Sequence, residues 1–132
     1  MSAEAPTQPL FDRPDLLALV DSLDDPGLDA VALGVIGFDA DQRVRRYNAF
    51  ESQASGLEAG EVLGRPLFTE IAQCMNNYLV AERFEAARTE AHELDETIDY
   101  VLTWRMRPTK VRLRLLASPT RPLRYVVLQR DS

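Results

Sequence analysis

The chain has 132 residues, 45% apolar and 27% charged, an ordinary balance for one globular domain with a single core. Its one cysteine and one histidine exclude an internal disulfide, a cysteine-pair metal site and a histidine-cluster zinc site, and no apolar run reaches the roughly 18 residues that a membrane span needs. The net charge of −6 is unevenly laid out: residues 1–29 hold seven acids and one base, whereas residues 101–130 hold eight bases and no acid. That layout predicts pairing between an acidic N-terminal segment and a basic sheet face, in preference to nucleic-acid binding. Met1 to Leu10 lacks the basic and apolar stretches of a signal peptide, so the expected setting is the cytoplasm.

In chain order, residues 1–11 read as a loose arm. Asp12 and Pro14 then open a short helix with Leu16, Leu17, Leu19, Val20 and Leu23 on one stripe, and Asp24-Asp25-Pro26-Gly27 stops it. Residues 1–27 are expected to form a helical cap on a core spanning 28–132. Val31 to Phe38 and Val44 to Asn48 read as a hairpin turning at Asp39-Ala40-Asp41-Gln42. Short helical pieces follow at Ala49 to Ala54, Ala59 to Val62 and Phe68 to Ala72, punctuated by glycines. A longer helix is expected from Asn76 or Asn77 to about His92.

Three strands end the chain. Ile98, Tyr100, Leu102, Trp104 and Met106 alternate with polar residues, Arg107-Pro108-Thr109-Lys110 reads as a turn, and Val111, Leu113 and Leu115 alternate again. Leu123 to Gln129 is the last strand. Five antiparallel strands with a helical crossover on one face make an α+β layout.

Few residues carry chemistry on composition alone. Cys74, the only thiol, reads as a small buried hydrophobe or, near a helix N-terminus, as a nucleophile. Tyr47 and Glu51, four apart across a strand-to-helix junction, are either a half-buried tyrosine and a surface glutamate or converge on one pocket. There they would donate two hydrogen bonds to a buried oxyanion, if desolvation keeps the carboxyl protonated. Met106, Trp104 and Tyr100 read as core.

In order along the chain stand Tyr47-Asn48-Ala49-Phe50-Glu51 running to Ser55-Gly56, then Val62-Leu63-Gly64-Arg65-Pro66-Leu67-Phe68, then Ile71-Ala72-Gln73-Cys74, and last Met106-Arg107-Pro108-Thr109-Lys110-Val111. With Leu28-Asp29-Ala30, Gly34-Val35-Ile36 and Asp39 before them, these segments resemble the photoactive yellow protein family, a branch of the PAS domains, over about residues 10–130. The resemblance implies a PAS fold, a five-stranded antiparallel sheet with helices on one face, under an N-terminal cap. It implies a blue-light photoreceptor, not an enzyme, that carries p-coumaric acid (4-hydroxycinnamic acid) as a thioester on Cys74. Tyr47 and a protonated Glu51 would hydrogen-bond the phenolate, Ser55 would support them, and Met106 would speed return to the dark state. Ile36, Leu67, Ile71, Ala72, Leu102 and Trp104 would form the apolar wall.

The same resemblance implies signalling by isomerisation, proton transfer from Glu51 and loosening of the cap. An unidentified downstream signalling protein would read it, from a monomer or weak dimer, with no nucleic acid and no membrane involved. Leu57 departs from a family arginine, Gln73 from a frequent proline, Ser55 from a threonine, and Leu67 and Leu102 from aromatics. Two other readings remain at this point: a PAS module that binds a ligand or dimerises without photochemistry, and a small enzyme with Glu51 as base. The second lacks a partner acid.

Overall fold

The computed structural model describes residues 10–104 and 107–130. Five strands form one antiparallel sheet in the order β2-β1-β5-β4-β3. They are β1 (Gly34–Phe38), β2 (Val44–Tyr47), β3 (Leu94–Trp104), β4 (Arg107–Ala117) and β5 (Arg124–Arg130). The first strand therefore lies beside the last, with Ile36 opposite Val126 and Gly34 opposite Leu128. The expected alternation in β3 holds where side chains are described: Leu102 is buried, Ile98 and Tyr100 are half-buried, and Asp99, Val101 and Thr103 are exposed.

The helices are α1 (Leu16–Ser22), α2 (Asp25–Asp29), α3 (Ala49–Ser55), α4 (Ala59–Val62) and α5 (Ala81–Glu90). A π-type turn at Leu67–Ile71 and a 3-10 turn at Gln73–Met75 connect α4 towards α5. These crossover pieces cover one sheet face. Ile36, Phe38, Leu113, Leu115, Val126 and Leu128 meet Phe68, Met75 and Phe84 there in a continuous apolar core. Phe38 stands edge-on to Phe68 and Phe84, with centroids 5.5 Å and 4.9 Å apart. The N-terminal helices cover the other face, where Phe11, Leu16, Val20 and Leu28 pack on Val35, Leu116, Tyr125 and Val127. All of β1 is buried because both of its faces are covered.

The basic strands hold that cap. Arg114, buried at 6% exposure, donates to Phe11 O (2.9 Å) and Arg13 O while forking onto Asp95 (2.8 and 2.9 Å). Arg46 donates to Val20 O and Leu23 O, Arg121 pairs with Asp21 at 2.8 Å, and Arg112 lies over the Phe11 ring, 5.1 Å from its centroid.

Several element boundaries differ from the sequence reading. α1 ends at Ser22, ahead of Asp24-Asp25-Pro26-Gly27 as expected, but the same four residues also open a second helix, α2: Asp24 accepts from Gly27 N, and Pro26 sits in the first turn, where no N–H is needed. Arg107–Lys110 is strand, not turn, with Thr109 opposite Leu102 and Pro108 opposite Thr103. Pro108 lies near the start of β4, where a strand tolerates a residue without an N–H donor. Asn77 does not cap a long helix. Its Oδ1 accepts from Leu79 N and Val80 N in a local turn, and α5 starts at Ala81. β1 starts at Gly34 rather than Val31, and β3 at Leu94 rather than Ile98.

Candidate functional site

The site lies between the crossover pieces and the sheet. Val44 and Tyr47 are buried in β2, and the chain then turns into α3 at Asn48. Asn48 uses all of its hydrogen-bonding groups there. Its Oδ1 accepts from Glu51 N (3.1 Å) and Val35 N (3.0 Å), and its Nδ2 donates to Leu28 O (3.0 Å) and Leu33 O (2.8 Å). This cap fixes the first turn of α3, which points Glu51 inward at 4% exposure. Gly56 closes α3 with φ of 80°, a left-handed conformation that suits glycine.

Tyr47 Oη lies 2.7 Å from Ser55 Oγ, and Ser55 Oγ also accepts from Leu57 N. Burial pushes the Tyr47 phenol up to about 12, although the Ser55 hydroxyl opposes the shift, so Tyr47 keeps its proton at neutral pH. Glu51 has a different partner. Arg130, near the end of β5, forks onto both of its carboxylate oxygens at 2.6 and 3.0 Å, with side-chain exposures of 19% for Arg130 and 5% for Glu51. Arg130 holds its charge more firmly than an ordinary arginine: the Glu51 carboxylate outweighs the burial that works against the guanidinium.

Cys74 is half-buried in the Gln73–Met75 turn. Burial raises its thiol above the ordinary range, with the Thr103 backbone amide working in the opposite direction. The Cys74 carbonyl accepts from Tyr100 Oη (2.5 Å) and Asn77 Nδ2 (3.2 Å), and Asn77 Nδ2 also donates to Tyr100 Oη at 2.6 Å. The turn that carries the thiol is thus tied to β3.

Tyr47, Glu51, Ser55, Cys74 and Arg130 line one cavity of about 320 Å³, within the range of small-ligand sites. Of the residues picked from the sequence, it brings together Ile36, Tyr47, Glu51, Ser55, Ile71, Ala72, Cys74 and Leu102. Leu67 is fully buried in the core but is not part of the lining. As the first residue of the π-type turn, it packs in the core behind the cavity. Met106 lies outside the described residues, and so does the side chain of Trp104. Leu57 packs against the core, and Gln73 is exposed, donating to Thr69 O at 2.7 Å.

The sequence reading left out Gln53, Ala54, Gly56, Met75, Thr109, Leu128 and above all Arg130. A signal for Arg130 was present. The period of two through Val126 and Leu128 continues to Arg130 and puts it on the helix-covered face. The Arg130 guanidinium stands beside the buried Glu51 carboxyl, so a charge there is paired.

The family model for the PAS fold matches residues 28–132. The photoactive yellow protein of Halochromatium salexigens is 29% identical over 105 residues, which is 80% of this chain and 83% of that protein. The photoactive yellow protein of Rhodothalassium salexigens is 26% identical over 120 residues, 91% and 95% of the two chains. Among solved structures, the photoactive yellow protein domain from the sensor histidine kinase Ppr of Rhodospirillum centenum superposes with a TM-score of 0.78 at 29% identity, covering 86% of this chain and 98% of that one.

Proposed function

The chain belongs to the PAS fold family, and on that premise we propose that it is a blue-light photoreceptor domain carrying p-coumaric acid as a thioester on Cys74. One observation carries this reading: a single cavity is lined by the lone thiol, by a buried phenol and by a buried carboxyl, with Ile36, Ile71 and Leu102 as apolar wall. The similarity to photoactive yellow proteins supports it.

The residues suit the group. Bound p-coumaric acid supplies a double bond that light isomerises and a phenol that ionises. Cys74 provides the attachment point, and its turn is held by Tyr100 and Asn77. Tyr47, protonated up to about 12, donates to a phenolate oxygen, and Ser55 orients it. A charge-assisted bond of this kind contributes about 1.5–3 kcal/mol, against the cost of burying an oxyanion. Glu51 holds or moves a proton at its carboxyl oxygen. Asn48 ties the amide of Glu51 to the Leu28 and Leu33 carbonyls, which offers a route from the carboxyl to the N-terminal cap. Loosening of that cap is the signal, read by a downstream protein in the cytoplasm.

The test is direct. The protein is incubated with an activated derivative of p-coumaric acid, and its visible spectrum is recorded before and after a blue flash. A visible band that bleaches and recovers, together with a mass increase lost in Cys74→Ala, is the expected result. No band, or a band that survives Cys74→Ala, overturns the reading and leaves a PAS module that binds a ligand or dimerises without photochemistry.

A further inference from the structure

Arg130 stands outside the set of residues that the resemblance supplied, yet its guanidinium engages both oxygens of the cavity's buried carboxyl, Glu51. A guanidinium fork that engages both carboxylate oxygens matches an ionised carboxyl, because a protonated one turns an O–H donor towards one of the two N–H groups. Among the described residues, the charged and titratable groups beside Glu51 are Tyr47 on β2 and Arg130 on β5; β1 presents Gly34, Cys74 also lines the cavity, and α2, packed on α3, brings Asp29 to the amide of Ala49.

We infer that Arg130 is a positioning residue of this site, which holds Glu51 as a carboxylate and so sets how the cavity's shared proton divides between Glu51 and a ligand's phenol oxygen. Only the last part rests on the reading of the cavity as a p-coumaric acid site. For Glu51 to donate to a phenolate, its carboxyl must keep a proton and give up part of the Arg130 fork. When the proton passes from the Glu51 oxygen to the phenolate oxygen, the fork closes on both carboxylate oxygens. No other bond changes and no electron moves. Arg130 therefore stabilises the proton-transferred arrangement, and the carboxylate left behind is paired.

The first arm uses the ligand-free protein and follows, by infrared titration, the carbonyl stretch of protonated carboxylic acids. The Glu51 band is assigned by its loss in Glu51→Gln. In the wild type it is expected only on acidification. At one mildly acidic pH it is expected to be stronger in Arg130→Gln than in the wild type, because an adjacent opposite charge that favours the ionised form is gone. Arg130→Lys, which keeps the charge without the fork, strengthens it by less and serves if the glutamine variant does not fold. A Glu51 band already present at neutral pH in the wild type, or a band no stronger in either variant, overturns the inference.

The second arm uses protein loaded with p-coumaric acid. Arg130→Gln is expected to raise the dark-state fraction in the phenolate band and to shorten the lifetime of the bleached state several-fold. Unchanged values of both overturn the part about proton division. If the protein takes up no chromophore at all, the photoreceptor reading falls, and the infrared titration still decides whether Arg130 holds Glu51 ionised.

Discussion

The backbone of Gly34 lies directly against the carboxylate of Glu51: a Cβ added to Gly34 would stand 2.1 Å from Glu51 Oε1 and 3.3 Å from Arg130 Nη1. A methyl group there would have to push the carboxylate out of the Arg130 fork, because α3 is fixed by its Asn48 cap and cannot retreat freely. Gly34→Ala is expected to cost about 1.5–3 kcal/mol, because the displaced carboxylate loses its charge-assisted bonds to Arg130. Chemical denaturation measures it. Adding Glu51→Ala to the same chain should recover part of the loss, since the clash partner is gone. Strictly additive effects of the two changes would show that Gly34 and Glu51 do not compete for the same space.

The parts of this site that a local pattern can show were legible. Alternation placed Leu102, Leu113 and Leu115 on one face, and the glycine-punctuated stretch after Tyr47 was readable as short helical pieces. Spacing offered the convergence of Tyr47 and Glu51 only as one of two alternatives, and that Ser55 and Cys74 join them came from resemblance, because no local spacing measures a cavity. The Glu51–Arg130 pair was not legible: its partners are 79 residues apart and meet only because the last strand pairs with the first. The Arg107–Lys110 segment misled for the opposite reason. A local signal, proline next to basic residues, was overridden by tertiary pairing with Leu102 and Thr103.

Burial raises the Cys74 thiol, so less of it is thiolate at neutral pH than for a free cysteine. The thiolate is the attacking form in acyl transfer. Acylation by activated p-coumaric acid should therefore accelerate as pH rises, with its midpoint above the ordinary thiol value of about 8.5. The rate is followed by the growth of the thioester band across pH, with a small exposed thiol as reference. A midpoint at or below that of the reference would mean that the turn activates the thiol.

Tyr47 and Tyr125 are both pushed up to about 12, burial being the main cause in each. An unfolded chain loses these protons near 10, whereas the folded chain holds them to about 12. Their contribution to stability is complete below about pH 10 and declines as pH rises towards about 12, because only the unfolded state is then gaining charge. The denaturant midpoint should fall steadily across that window. Tyr47→Phe should make the fall shallower. A flat midpoint between the two pH values would show that neither phenol is protected.

Arg114 bridges the sheet and the N-terminal segment through bonds to Phe11 O, Arg13 O and the Asp95 carboxylate. Its side chain is 7% exposed against 50% for Asp95, so the two carbonyl bonds lie on the protected side and the ion pair opens to solvent. The two halves of the grip therefore differ in weight. Arg114→Met keeps the apolar stem but leaves the carbonyls without a donor, a loss of roughly 2–4 kcal/mol in the docking of the cap, since bonds to a charged donor count for more than neutral ones. Asp95→Asn removes only the screened ion pair and should cost under about 1 kcal/mol. Hydrogen exchange separates the effects residue by residue. In Arg114→Met, amides of α1 such as Val20 should lose protection well before those of Leu113 and Val126 in the sheet. If Asp95→Asn loosened the cap as much as Arg114→Met, the ion pair and not the carbonyl bonds would be what holds it. Equal loss of protection in cap and sheet would mean that the two unfold as one unit.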